Sequence, residues 1–249
     1  MAEAPSPQLP EVVSFVGHLL EDAGLLAGIG SFVVRRVGRL SPRIGWANPP
    51  MSRFFGIAFA GGLVLFAVDH TWLIAARAAA EGVAYVLCRR GTPLVALPAV
   101  LAAVLLPFSG HAARVTPSAG AEFADMLHVL SAAMWAGGII ALASLQPPTG
   151  WGSPQGRLLV ERFGRVAVIA FGVTALTGLL RATEQLNGIS DVWTTPYGVV
   201  LALKVVGVLA MLGVSAVWRR GRPVARLDAV AVVFVVAATA LLAVLPSPA

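Results

Sequence analysis

Long apolar runs alternate with short polar connections along the whole chain. The apolar segments lie at 11–34, 54–80, 92–109, 121–145, 159–182, 197–218 and 227–245. A helix needs about twenty residues to cross the hydrocarbon core of a bilayer, and these unbroken runs lack the two-residue alternation of barrel strands. The pattern predicts an all-α, polytopic transmembrane helical bundle of about seven or eight spans, with residues 1–249 forming a single transmembrane domain.

The arginines are concentrated in three zones between the apolar segments. The zones contain Arg35, Arg36, Arg39, Arg43 and Arg53, then Arg157, Arg162 and Arg165, then Arg219, Arg220, Arg222 and Arg226. Basic residues flanking membrane helices favour the cytoplasmic side, so all three zones are predicted inside and the N-terminus outside a plasma or inner membrane. Seven crossings would put the first two zones on opposite sides. Residues 54–90 are therefore predicted to cross twice as two short helices, or to dip in as a bent hairpin.

Composition agrees with a membrane protein. The chain is 57% hydrophobic and 12% charged, and its mean hydropathy is +0.82. Its formal charge of +6 does not indicate nucleic-acid binding, because the arginines lie in connections between apolar runs. The single cysteine, Cys88, excludes an internal disulfide. The first residues lack the basic start of a signal peptide, so we expect the first span to be retained.

The four histidines are predicted to lie in the outer third of the bundle. His18 and His128 fall inside the first and fourth segments, His70 at the outer tip of the second, and His111 at the outer end of the third. Polar side chains inside a bilayer are costly and mark sites, although each imidazole alone could simply bond a backbone carbonyl. Imidazole nitrogen and thioether sulfur suit copper, so the histidines, with Met126 and Met134, are predicted metal ligands.

Other polar residues accompany this predicted site. Asp125, His128 and Trp135 follow the spacing of one helix face. Asp125 is expected either to orient His128 or to cap the helix start.

Lys204 is the chain's one lysine and lies inside an apolar helix, seven residues past Tyr197. The alternatives for Lys204 are an ion pair with Glu21, Asp22 or Glu184, with a role in helix register or proton response, or snorkelling to the interface.

Several motifs resemble one known family. They are Gly110-His-Ala, the run from Leu127 to Gly138, Arg162 to Ala167, Thr177-Gly178, Thr194 to Gly198, Leu203-Lys204 and Trp218 to Arg220. Together they resemble, in order and spacing over 109–220, the copper resistance D family of inner-membrane proteins. The resemblance implies copper uptake or tolerance, together with a small periplasmic copper-binding partner. It assigns characteristic positions to His111, His128, Trp135, Tyr197, Gly198 and Lys204. Residues 1–90 match no motif of that family, and the N-terminal half is shorter than its pattern.

These observations predict a copper-handling integral membrane protein with a His-lined outer site. No nucleophile, phosphate loop or paired carboxylate indicates an enzyme, and Gly61-Gly62 and Gly137-Gly138 are interpreted as close helix contacts. One alternative is a b-type haem protein that transfers electrons, with His18 and His128 as axial ligands. Another is an assembly subunit without a ligand. The sequence leaves transport direction, copper oxidation state, energy coupling and oligomeric state open.

Overall fold

The structure is a computed structural model that describes residues 9–109, 118–219 and 225–245, and all regular elements in these ranges are helical. The described part therefore confirms the predicted all-α bundle. Six continuous helical stretches are long and apolar enough to cross a membrane: Leu9–Gly38, Met51–Val68, Ala119–Ala143, Pro154–Gln185, Pro196–Trp218 and Arg226–Val244.

The helices follow one another through short connections. In chain order they are α1 (Leu9–Gly38), α2 (Met51–Val68), α3 (Trp72–Arg89), α4 (Ala96–Leu105), α5 (Ser118–Ala132), α6 (Gly138–Ala143), α7 (Pro154–Gln185), α8 (Asp191–Thr194), α9 (Pro196–Arg219) and α10 (Ala225–Val244). A π-helical turn, Ala133–Gly137, joins α5 to α6. The predicted segment 92–109 contains α4 between two short 3-10 turns, Pro93–Val95 and Pro107–Ser109.

The predicted apolar segment 54–80 is divided between two helices, in agreement with the prediction that residues 54–90 reverse direction. The chain leaves helical geometry at Asp69, whose backbone is extended, and α3 starts at Trp72. The two helices are antiparallel, because Gly56 faces Tyr85 and Gly62 faces Ala78. Each has 18 residues and so is about 27 Å long, close to the thickness of the hydrocarbon core. Of the two alternatives for 54–90, the structure has two short helices.

Helix α1 lies at the centre and packs on α2, α10 and the π-helical turn. Its glycines allow these contacts. A Cβ added to Gly24 would lie 2.4 Å from the backbone nitrogen of Ala58, and one added to Gly30 would lie 2.2 Å from the carbonyl carbon of Gly137. The predicted close contacts at Gly61-Gly62 and Gly137-Gly138 are confirmed, since an added Cβ at any of these four would clash.

The parts of the three arginine-rich zones that the structure describes lie at one end of the bundle. The guanidinium of Arg162 donates to the backbone carbonyls that follow α1, those of Val37, Leu40, Ser41 and Pro42. The ring of Trp151 packs edge-on against that of Trp218, beside the last zone, at 5.1 Å between centroids. Their common location agrees with the prediction from charge. That this end faces the cytoplasm remains a prediction.

Candidate functional site

A row of polar side chains joins α5 and the π-helical turn to α7. Taken in order toward the arginine-rich end of the bundle, Asp125, His128, Ser131 and Trp135 contact Arg181, Thr177 and Thr174 of the antiparallel α7. We term these seven residues the α5–α7 seam. The predicted common face of Asp125, His128 and Trp135 is confirmed.

His128 is held by one of its two ring nitrogens. Its Nδ1 lies 3.0 Å from the carbonyl oxygen of Thr174 and 3.1 Å from the hydroxyl of Thr177. A carbonyl oxygen only accepts, so Nδ1 must carry the hydrogen and donate it. The Thr177 hydroxyl donates to the carbonyl of Val173 and can therefore accept from the same nitrogen. In a neutral imidazole the lone pair is then on Nε2, the atom left to bind a ligand.

Gly178 makes room for the His128 ring. A Cβ at this position would lie 3.1 Å from Cε1 of His128, closer than ordinary van der Waals contact. The ring therefore lies directly on the α7 backbone beside Thr177.

The part of the seam nearer the arginine-rich end fixes Trp135 in place. Its indole Nε1 donates to the Thr174 hydroxyl at 3.1 Å, and its ring packs edge-on against Phe171 at 5.2 Å. The Thr174 hydroxyl in turn donates to the carbonyl of Ala170, and the Ser131 oxygen lies 2.7 Å away. Trp135 is 4% exposed. The tryptophan thus anchors the π-helical turn to α7, and its indole nitrogen is occupied by this hydrogen bond.

The predicted roles of Asp125 are wrong. Its carboxylate neither orients His128 nor caps α5, because it accepts from Nε of Arg181 at 2.7 Å. Arg181 also donates to Glu184 at 2.8 Å, and the Arg181 side chain is 8% exposed. A nearly buried guanidinium thus balances two carboxylates at the end of the seam that is farther from the arginine-rich zones.

Two of the predicted partners of Lys204 are wrong. Glu21 is paired with Arg77 at 2.6 Å, and Glu184 is paired with Arg181. The lysine lies within electrostatic range of Asp22, the third predicted partner, and of Asp125. Lys204 is also within range of His128, so it connects α9 electrostatically to the seam.

The other histidines occupy different surroundings. His18 is half-buried on α1 within electrostatic range of Arg77. His70 is exposed in the connection between α2 and α3, with its ring 5.3 Å from that of Phe66. His111 lies outside the described residues. Within the described ranges, no three His, Cys, Asp or Glu side chains form a group that could hold a metal ion.

His18 and His128 nevertheless lie at similar levels. Helices α1 and α5 both run toward the arginine-rich end, and they meet where Gly30 touches Gly137. Measured along each helix from this contact at 1.5 Å per residue, His18 is about 18 Å away and His128 about 14 Å away. The difference is less than one helical turn, in agreement with the common depth expected from the sequence.

The remaining predicted residues are placed as follows. Met126 and Met134 are half-buried, and Met134 packs against the hydrophobic core. Tyr197 is 3% exposed, and its hydroxyl donates to the side-chain oxygen of Gln185. Gly198 lets α9 approach α8, since an added Cβ would lie 1.9 Å from the carbonyl oxygen of Asp191. The ligand roles of the methionines stay predictions.

Reasoning from sequence missed the α7 half of the seam. Thr174, Thr177, Gly178 and Arg181 follow a three-, four- and seven-residue spacing, which places them on one helix face. That spacing was readable in the sequence, but threonine in an apolar helix is usually a packing residue that bonds its own backbone. Arg77 and Glu81, both buried on α3, were also not predicted as site residues.

Part of the chain is similar to known proteins. Residues 157–245 match the family model described as copper resistance protein D. This range contains α8, α9, α10 and all but the first three residues of α7, and it shares residues 157–220 with the predicted family-like core 109–220. A curated protein named copper transport protein CutJ, from Bacillus subtilis (strain 168), is 36% identical over 100 residues. The alignment covers 39% of this chain and 18% of that relative, so the chain spans only a small part of its length. No solved structure matches. Over residues 157–245, the chain is therefore similar to the copper resistance protein D family.

Proposed function

We propose that this chain binds copper at the outer end of the bundle and passes it across the membrane or holds it for a partner, with Nε2 of His128 as the central ligand. The single observation that carries the proposal is the hydrogen bond from Nδ1 of His128 to the carbonyl of Thr174. That bond directs the free lone pair to Nε2. The family and the name of the similar transport protein support copper as the cargo.

The chemistry of the neighbouring donors favours copper over harder cations. Neutral imidazole binds both copper oxidation states, and thioether sulfur selects the monovalent ion. We propose His111 and His18 as further ligands, with Met126, Met134 and His70 along the entry route. The level of His18, similar to that of His128, is consistent with such a set.

The charged neighbours suit a transported cation. Lys204 and Arg181 lie near His128, and the carboxylates of Asp22 and Asp125 balance them. Such a balanced set admits a weakly charged ion without trapping it, because among the residues that the structure describes no cluster of unpaired carboxylates surrounds the imidazole. We propose transport rather than catalysis on this basis.

The direction of the bundle follows from the arginine-rich end. We place that end in the cytoplasm and the N-terminus outside an inner or plasma membrane, because basic residues are retained on the cytoplasmic side. Copper would then reach His128 from outside the cell. A small extracellular or periplasmic copper-binding protein is the proposed donor or acceptor.

The test is copper binding and uptake by purified protein in lipid vesicles. We expect His128→Ala to weaken monovalent copper binding more than tenfold and to reduce uptake to the level of empty vesicles. Thr239→Val is the matched control, because Thr239 only donates to the carbonyl of Val235 within α10. Equal binding by the wild type and His128→Ala would contradict the proposal. So would a Soret absorption band lost in His128→Ala, which would assign the histidine to haem.

A further inference from the structure

A second buried polar cluster lies away from the α5–α7 seam, between α1, α2 and α3. It consists of Glu21, Arg77 and Glu81, which are 0%, 2% and 0% exposed. Two successive glycines of α2 make room for it. An added Cβ on Gly61 would lie 2.4 Å from the backbone nitrogen of Glu21, and one on Gly62 would lie 2.7 Å from Oε2 of Glu81. The two glutamates therefore flank α2 at the same level.

In this cluster one carboxyl oxygen has a hydrogen-bond donor among the described residues and three have none. Arg77 Nε donates to Oε1 of Glu21 at 2.6 Å. Oε2 of Glu21 and both carboxyl oxygens of Glu81 are buried and accept no hydrogen bond from the described residues. An ionised carboxylate buried without a donor costs several kcal/mol, so a fully ionised Glu81 is strongly disfavoured in this position.

The charges around Glu81 also disfavour its ionised form. The carboxyl groups of Glu21 and Glu81 lie beside the single guanidinium of Arg77 in apolar surroundings. Two like charges at close range do not both ionise. Asp22 of α1 also lies within electrostatic range of Glu81. His18 of α1 lies near Arg77. Helix α2 contributes no titratable group except Arg53 at its start, and α4 contributes none.

We propose that Glu81 holds a proton and donates it in a hydrogen bond to the free Oε2 of Glu21, so that the cluster is a proton-binding site inside the membrane. The shared proton satisfies the orphaned oxygens of both glutamates and leaves one negative charge to balance Arg77. A metal ion is a poorer occupant, because the guanidinium already lies against Glu21 and would repel a second cation. The inference does not rest on copper handling, since it uses this cluster alone.

The test is the infrared absorption of protonated carboxyl groups in purified protein at neutral pH. We expect a carboxylic acid band that shifts when glutamate is isotopically labelled at its side-chain carboxyl carbon. The shift distinguishes a protonated glutamate from the half-buried Asp22 and the buried Asp228. We expect Glu81→Gln to abolish the band, and Glu161→Gln, at an exposed ion pair, to leave it unchanged.

Glu21→Gln gives a second and independent result. With its partner neutral, Glu81 becomes the counter-ion of Arg77 and loses its proton, so this variant should also lack the band. The wild-type labelling result remains decisive if either variant fails to fold. Absence of a glutamate-derived acid band in the wild type would overturn the proposal. A metal ion bound stoichiometrically to the wild type and lost in Glu81→Gln would overturn it as well.

Discussion

At the scale of single residues, the orientation of His128 depends on close contact with the α7 backbone. The carbonyl of Thr174 cannot be removed by substitution, but the space beside it can be filled at Gly178. An added methyl group there would press on Cε1 of the ring and turn Nδ1 away from its acceptor.

We therefore predict that Gly178→Ala weakens copper binding by at least tenfold. Gly172→Ala is the matched control, because Gly172 lies on the same helix with nothing within 4 Å of an added Cβ. Both changes gain about 1 kcal/mol of helix propensity, so any difference between them comes from the ring. The measurement is a competition titration with a copper chelator. Equal affinities in the two variants would mean that the ring does not need this geometry.

The ion pair of Asp125 with Arg181 gives a residue-scale prediction about stability. Asp125→Asn removes a charge whose partner is 8% exposed, and should lower the free energy of unfolding by about 1–3 kcal/mol. Glu161→Gln breaks an exposed ion pair with Arg165 and should change the free energy of unfolding by less than about 1 kcal/mol. Denaturant titration in detergent micelles measures both. An equal loss in the two variants would contradict the structural role of the buried pair.

Part of the site was predictable at this scale, and the reason is periodicity. Helix spacing placed Asp125, His128 and Trp135 on one face, and the structure has them on one seam. Spacing says nothing about which other helix faces them, so the sequence offers His128 or the helix start, and not Arg181, as the partner of Asp125. For the same reason Glu21 was assigned to Lys204, although Arg77 lies on the adjacent helix.

At the scale of elements, the contact of α1 with the π-helical turn fixes the centre of the bundle. The two backbones meet at Gly30 and Gly137, where even one methyl group has no space. A π-helical turn is an uncommon element and often accompanies a functional site. Here it presents Trp135 to α7 while Gly137 remains against α1.

Gly137→Ala is predicted to prevent this contact, because its Cβ would lie 1.9 Å from the carbonyl oxygen of Leu26. We expect a loss of monodisperse protein on size-exclusion chromatography. Gly213→Ala on α9 meets no atom within 4 Å and should behave as the wild type does. Wild-type elution of Gly137→Ala would contradict the close contact.

Helix positions were more predictable than helix ends. Apolar runs gave α1, α7, α9 and α10 to within a few residues, because lipid imposes a minimum length on every span. The same criterion of apolar length placed α2 and the first part of α3 in one predicted segment, 54–80. A mean over many apolar residues is insensitive to a three-residue connection such as Asp69 to Thr71.

At the scale of the whole molecule, the arginine-rich zones define one end of the bundle. The contacts of Arg162 with the chain after α1 bring two zones together, and the Trp151–Trp218 pair brings the third. Tryptophans at this level are typical of a membrane interface.

Single cysteines in a Cys88→Ser background test this arrangement. Ser41→Cys and Ser153→Cys should react with a membrane-impermeant maleimide only after the inner face is opened. Ser190→Cys, at the opposite end beside α8, should react in intact cells. Labelling of Ser41→Cys and Ser190→Cys from the same side would contradict the topology.

The most direct test of the whole account is X-ray absorption spectroscopy of the copper-loaded protein in lipid. The wild type should show imidazole nitrogen in the first coordination shell of copper. His128→Ala, compared at equal copper loading, should lose one imidazole, whereas Thr239→Val should not. An unchanged coordination shell in His128→Ala would contradict the assignment of Nε2 as the central ligand.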